Sequence, residues 1–277
     1  MSFFDSSLLW LEAVVASVAV ATVCAVIGVY TILRRVVFLP AALSQISGLG
    51  VVLAFLFAMW LPWIGEKWFL APEIVGTAIT LGAALLLGWM KDPRHLSRES
   101  IIGVAYITAS ALVIIIGDRI PAESHDINDI LFGNAVAVEP RQMYIALGVS
   151  LAVIIVHAFM LKPFLLVSFD AETARAHGVQ VRIIDAVLFL TMGLTISTAT
   201  KTIGAMPVFA FSVLPAASAL KLFNNIYLVF LGAAIIGASS AFLGYFVSFV
   251  GSFPTGACMV AVAGLFFGLA SALSYRR

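Results

Sequence analysis

An all-α, polytopic membrane bundle of about nine crossings is the fold class that this 277-residue sequence predicts. Hydrophobic residues make up 62% of the chain and charged residues only 10%, where a soluble domain carries roughly a quarter charged residues. No water-soluble fold hides that much apolar surface. Apolar stretches follow one another with short polar breaks, each long enough to cross a hydrocarbon core about 30 Å thick. They run continuously apolar, whereas the strands of a membrane barrel alternate; backbone amides in lipid must then be paired within helices. The chain therefore reads as a single transmembrane domain over residues 1–277.

The first expected span, Leu8–Leu33, follows a terminus with Asp5 and Glu12 where a signal peptide has basic residues, and it exceeds a signal's apolar core. It is expected to be retained. Phe38–Leu61, Pro72–Met90 and Ile101–Ile116 follow. Next comes the connection Gly117–Arg141, in which acidic residues and His125 surround the apolar piece Ile130-Leu131-Phe132-Gly133. That piece is too short to cross and is expected to form a partial or re-entrant helix. His125, Asp126 and Asp129 are candidates for attracting a cation or docking a carrier protein, since clustered carboxylates and an imidazole raise the local cation concentration; a solvated loop is the plainer reading.

After the fifth span, Gln142–Leu161, a second long connection runs Lys162–Arg182. Asp170 is a good N-cap, Ala and Glu favour helix, and Gly178 is a natural stop, so a short surface helix is expected within about residues 169–180. An interfacial linker is its simplest role. The remaining spans are Val181–Ala199, Thr202–Leu222, Ile226–Val250 and Thr255–Leu273. Pro207 and Pro215 each remove a backbone donor and are expected to kink the span Thr202–Leu222, marking it as a pathway-lining or simply bent helix. No internal repeat supports an inverted-repeat transporter.

Charge distribution orients the spans. With the N-terminus outside and an odd count, Arg34, Arg35, Lys91, Arg94, Arg98, Lys162, Arg175, Arg182, Lys221, Arg276 and Arg277 share the cytoplasmic side. Only Lys67, Arg119, Arg141 and Lys201 face the other. The net charge of +1 gives no reason to expect nucleic acid. Cys24 and Cys258 lie in apolar stretches and read as small buried hydrophobes. Ionisable groups within spans are Glu12 and His157, with Glu73, Asp185 and Lys201 at span ends. Glu12 reads as an interfacial residue, and a pathway role for His157 is the less favoured of its two readings.

No phosphate-binding Gly-x-x-x-x-Gly-Lys-Ser/Thr loop is present, so ATP energy must come from a partner. Nor is there a His-Glu-x-x-His or Gly-x-Ser-x-Gly motif, and the four histidines are scattered, which disfavours a membrane enzyme.

Several pieces resemble one family. Gly28-Val29-Tyr30-Thr31-Ile32-Leu33-Arg34-Arg35-Val36-Val37-Phe38 is similar to Gly-x-Tyr-x-x-Leu-Arg-Arg-x-x-Phe, and Ala42-Leu43-Ser44 to Ala-Leu-Ser. Asp126 with Leu131-Phe132-Gly133, Phe169-Asp170 with Ala174 and Gly178, and Leu214-Pro215-Ala216-Ala217 match further motifs in order. The family is that of the permeases of zinc/manganese ATP-binding cassette (ABC) importers, relatives of the vitamin B12 and iron-siderophore permeases. The resemblance implies a type II importer permease in the bacterial inner membrane that moves a divalent metal ion, zinc or manganese, by alternating access. It further implies a second permease copy, ABC ATPase subunits that hold ATP and Mg, and an extracytoplasmic substrate-binding protein, with no cofactor on this chain. Asp170, Ala174, His177 and Gly178 would then couple the permease to the ATPase, and Ser44, Gln45, Pro207 and Pro215 would line the pathway.

One departure bears on the substrate. Where such permeases read Gly-Asp-Ala-Leu-Ser-His, this chain reads Pro40-Ala41-Ala42-Leu43-Ser44-Gln45, so a carboxylate and an imidazole are absent. An amide is a poor zinc ligand, and a different small solute stays open as an alternative.

Overall fold

The computed structural model describes residues 7–60, 71–90, 96–120 and 138–275. Among them are eleven α-helices and no strand: α1 (Ser7–Leu33), α2 (Leu39–Trp60), α3 (Pro72–Trp89), α4 (Arg98–Gly117), α5 (Pro140–Phe159), α6 (Leu161–Phe169), α7 (Ala171–Ala176), α8 (Val181–Ile203), α9 (Ala205–Leu222), α10 (Ile226–Gly251) and α11 (Thr255–Tyr275). All but α6 and α7 are long and apolar enough to cross a membrane, giving nine spans among the described residues.

Burial divides the spans by role. α1, α2, α8 and α9 are the most enclosed, whereas α3, α4, α5, α10 and α11 turn most of their apolar surface outward, as lipid contact requires. With lipid as apolar as the interior, helices associate through close contact rather than through expulsion of water, so small residues sit at the crossings. On α1, Ala21 and Ala25 are buried against Gly237 of α10 and Gly28 against Ser212 of α9. A Cβ on Gly28 would fall 2.0 Å from the carbonyl oxygen of Ser212 on α9. The α2–α3 crossing is equally close, with a Cβ on Gly50 meeting Gly76 Cα at 2.7 Å.

Turn chemistry sets the basic end of α1. Arg35 adopts the left-handed conformation, φ 56°, while its amide donates to the Ile32 carbonyl and the Val36 amide to that of Thr31. This is a Schellman stop with arginine where glycine is usual. The Phe38 amide at the start of α2 donates to the Glu99 carboxylate of α4 at 2.9 Å, so a neighbouring helix supplies the cap.

Two expectations need correction. The connection after α5 holds two helices, because Leu161–Phe169 is itself helical and buries Phe164 and Val167. The break before α9 falls at Gly204, φ 88°, three residues beyond the expected turn around Lys201. Pro207 is consequently the third residue of α9, in the first turn where no intrahelical donor is needed, and it kinks nothing. Only Pro215 lies inside a helix, and it leaves the Phe211 carbonyl without its usual amide.

Candidate functional site

Two constellations at opposite ends of the bundle carry the polar chemistry. At the end where α1 stops, α7 projects as a single exposed turn and a half. The Asp170 carboxylate accepts from the amides of Glu172 and Thr173 at 3.0 and 2.9 Å and from the Thr173 hydroxyl. The Thr173 hydroxyl, above all, holds that carboxyl below the usual carboxylate range. The helix ends on a second Schellman motif: the Val179 amide donates to the Ala174 carbonyl, the Gly178 amide to that of Arg175, and Gly178 takes φ 76°. Ala174 is fully buried and joins the apolar core, seating α7, while His177 is exposed with Nδ1 2.9 Å from the Thr173 carbonyl. Asp170, Ala174, His177 and Gly178 are thus gathered in one element.

Arg34 connects that element to the bundle. Its Nε donates to Ser168 Oγ on α6 at 2.9 Å and its Nη1 to Asp185 Oδ1 on α8 at 2.6 Å. Both helices flanking α7 are therefore held to the end of α1 by one guanidinium, which suits Arg because its planar fork reaches two acceptors at once. Behind it, His157 is buried on α5 with Nε2 2.9 Å from Thr191 Oγ1. The Thr191 hydroxyl donates to the Leu188 carbonyl, so Nε2 carries the proton and imidazole is the donor. Tyr30 and Phe164 enclose the ring, with centroids 5.2 and 5.0 Å away. His157 is a packed core histidine remote from any described opening.

At the opposite end, hydroxyls form a chain across three spans. Ser47 Oγ on α2 lies 3.1 Å from Ser197 Oγ on α8, which lies 3.1 Å from Thr77 Oγ1 on α3. Lys201 Nζ donates to Thr77 Oγ1 at 2.8 Å and to the Glu73 carbonyl. A cavity of about 410 Å³ opens there between α3, α5 and α8, with Glu73, Arg141 and Lys201 on its wall.

The expected pathway residues are only partly brought together. Ser44 is buried, and its hydroxyl is spent on the Ala41 carbonyl of its own helix at 2.8 Å. Gln45 is half-buried, and its Oε1 meets no protein partner. Pro207 and Pro215 are both buried on α9, which packs on α2, yet none of the four lines either described cavity. His125, Asp126 and Asp129 lie outside the described residues. Among the described residues no three His, Cys, Asp or Glu side chains cluster as metal ligands. The oxygens of the interior are hydroxyls, carbonyls and the Gln45 amide, hard donors that hold a transition metal loosely.

Arg34 and the hydroxyl chain escape a reading of the sequence. Arg34 stands out only as a topogenic charge and as part of the Leu-Arg-Arg motif, and neither names its partners. The chain had a visible signal in the hydroxyl-rich run from Thr191 to Thr202 on α8, dense for a span.

Comparison with known proteins bears on this arrangement. The ABC 3 transport family profile matches residues 7–274. The manganese transport system membrane protein MntC of Halalkalibacterium halodurans is 31% identical over 271 residues, covering 97% of this chain and 89% of that protein. The manganese import system permease protein ScaB of Streptococcus parasanguinis is 29% identical, covering 92% and 87%. Among solved structures, PsaBC from Streptococcus pneumoniae in complex with Fab superposes with a TM-score of 0.83 at 26% identity, over 97% of this chain and 94% of that one.

Proposed function

The chain belongs to the ABC 3 transport family, and from that premise we propose that it is the membrane-spanning permease subunit of an ABC importer for a divalent metal ion, manganese before zinc. The observation that carries this reading is the likeness along 97% of the chain to a protein named for manganese transport. The subunit is not the enzyme of the system. A separate ATPase binds ATP and Mg, and a second permease copy and an extracytoplasmic binding protein complete the assembly.

On this reading α7 is the coupling helix. Its exposed face, with Glu172, Thr173 and His177, meets the ATPase, while buried Ala174 transmits the push inward. Because Arg34 grips both α6 and α8, displacement of α7 reaches α1 and α8 together, and alternating access follows as rigid motion of packed helices. The metal enters from the binding protein at the Lys201 end, with the N-terminus outside and the C-terminus cytoplasmic. Concentration of arginines at the α7 end supports that orientation. Ser44 and Gln45 contribute weak oxygen contacts along the pathway, and weak contacts suit transit because an ion must leave as well as enter.

Uptake of radioactive manganese and zinc into proteoliposomes holding this chain, its ATPase and its binding protein tests the proposal. ATP-dependent accumulation of either ion is the expected result. ATP hydrolysis without uptake of either would favour the second reading, a permease for a different small solute, which the substitution of Ala41 and Gln45 for carboxylate and imidazole supports.

A further inference from the structure

The largest described cavity is one the transport reading leaves unused. About 1,100 Å³ in volume, it opens at the α7 end between the close of α3, the start of α4, α7 and the start of α8. Three guanidinium groups from three different helices line it: Arg98 on α4, Arg175 on α7 and Arg182 on α8. Among the described residues a single carboxylate, Asp185, shares the wall, and Arg34 already pairs with it at 2.6 Å. Arg98 also donates to the Met90 carbonyl at 2.6 Å, which fixes its head group at the cavity. Arg175 and Arg182 are exposed and make no ion pair among the described residues. Arg175 and Arg182 therefore give the cavity wall positive charge that no carboxylate among the described residues pairs.

Its rim is apolar where it meets the spans. Trp89 and Ile183 are 58% and 57% exposed, and Leu86, one turn along α3 into the bilayer, is 70% exposed. Tryptophan at the end of a span marks headgroup depth. Cations at that depth with an apolar flank leading into lipid suit an amphipathic anion: the guanidinium forks match phosphate oxygens in bidentate fashion, and acyl chains lie along Leu86. We propose that this cavity binds the phosphate headgroup of an anionic phospholipid.

Because Arg175 belongs to α7, the bound headgroup also bridges α7 to α4 and α8. Occupancy then firms the seat of the coupling helix, a consequence that rests on the transport reading, whereas the binding does not.

The test uses the purified full-length chain in zwitterionic detergent–lipid micelles, with the melting temperature followed as phosphatidylglycerol replaces phosphatidylcholine. Wild type is compared with R175Q/R182Q, both exposed positions that leave folding intact, and with R175K/R182K. A cation near an anionic lipid contributes about a fivefold factor in binding, so the glutamine variant should need roughly 30-fold more phosphatidylglycerol for half-maximal stabilisation. The lysine variant should recover most of that loss. Equal melting temperatures in the two lipids, or an unaltered titration in the glutamine variant, would overturn the proposal. So would equal stabilisation by millimolar inorganic phosphate in phosphatidylcholine alone, which would assign the cavity to a soluble anion. None of these outcomes depends on uptake, so failure here and failure of the transport reading are separable.

Discussion

Gly28 is the tightest point of the helix packing. An added methyl would sit 2.0 Å from the backbone oxygen of Ser212, and backbone cannot rotate aside as a side chain does. Gly28→Ala should therefore force α1 and α9 apart at a cost of about 1–3 kcal/mol, the scale of overpacking, despite the better helix propensity of alanine. Gly82→Ala on α3, where a Cβ meets nothing within 4 Å, is the control and should melt at or slightly above the wild-type temperature. Arg34 calls for a different probe, because it serves two acceptors. Arg34→Lys keeps the charge but reaches only one of Ser168 and Asp185, and should cost about 2 kcal/mol, the scale of hydrogen bonds to charged groups. A double-mutant cycle with Asp185→Asn, read by chemical denaturation, should return strong non-additivity; independent effects would mean that the pair is not coupled.

At the scale of the element, α7 is a six-residue helix far too short to persist alone, so its two ends decide whether it exists. The Asp170 carboxyl is held below its ordinary range, which fixes the sign of the pH dependence. A folded-state value below the unfolded one contributes stability above the unfolded value and loses it as pH falls through the folded one. The cap should hence be intact at neutral pH and fail only in acid, below the range where free aspartate protonates. Hydrogen exchange at the Glu172 and Thr173 amides checks this, and Asp170→Ala should speed both at neutral pH, with the difference from wild type vanishing in acid where the wild-type cap is itself lost. At the other end, Gly178 has φ 76° and an added Cβ would meet nothing within 4 Å, so Gly178→Trp strains the backbone at an exposed position and sets a bulky ring on the face of α7. Insertion should stay normal while ATP hydrolysis is uncoupled from uptake; normal coupled uptake would refute the assignment of α7. Both ends of this helix were legible in the sequence because capping chemistry is local. Neither α6 nor the Gly204 break was: the sequence predicts a connection beginning at Lys162 and a turn around Lys201, yet Pro163 sits in the first turn of α6 and the Lys201 ammonium finds oxygen acceptors at the end of α8. Tertiary partners settled both.

For the whole molecule, nine spans could be read from composition because lipid leaves the backbone no alternative to helix, whereas the hydroxyl chain Ser47–Ser197–Thr77 depends on how α2, α3 and α8 meet, and the hydroxyl-rich run on α8 signals only one of its three parts. Sidedness lies between these cases. The contacts place Arg34, Arg98, Arg175 and Arg182 at one end and Arg141 and Lys201 at the other, as the charge pattern requires, and the direction across the membrane follows once a bilayer is supplied. Ser252, exposed in the turn between α10 and α11, belongs to the Lys201 end: α10 begins beside the basic end of α9, and Tyr245 near its close meets Trp10 at the start of α1. Ala176 is exposed on α7 at the opposite end. Native Cys24 and Cys258 are both buried, so they contribute little background and are readily replaced by alanine. In that background a membrane-impermeant maleimide should label Ser252→Cys in intact spheroplasts and Ala176→Cys only after permeabilisation. The reverse pattern would place α7 outside, away from any cytoplasmic ATPase, and would dismantle the coupling reading together with the orientation.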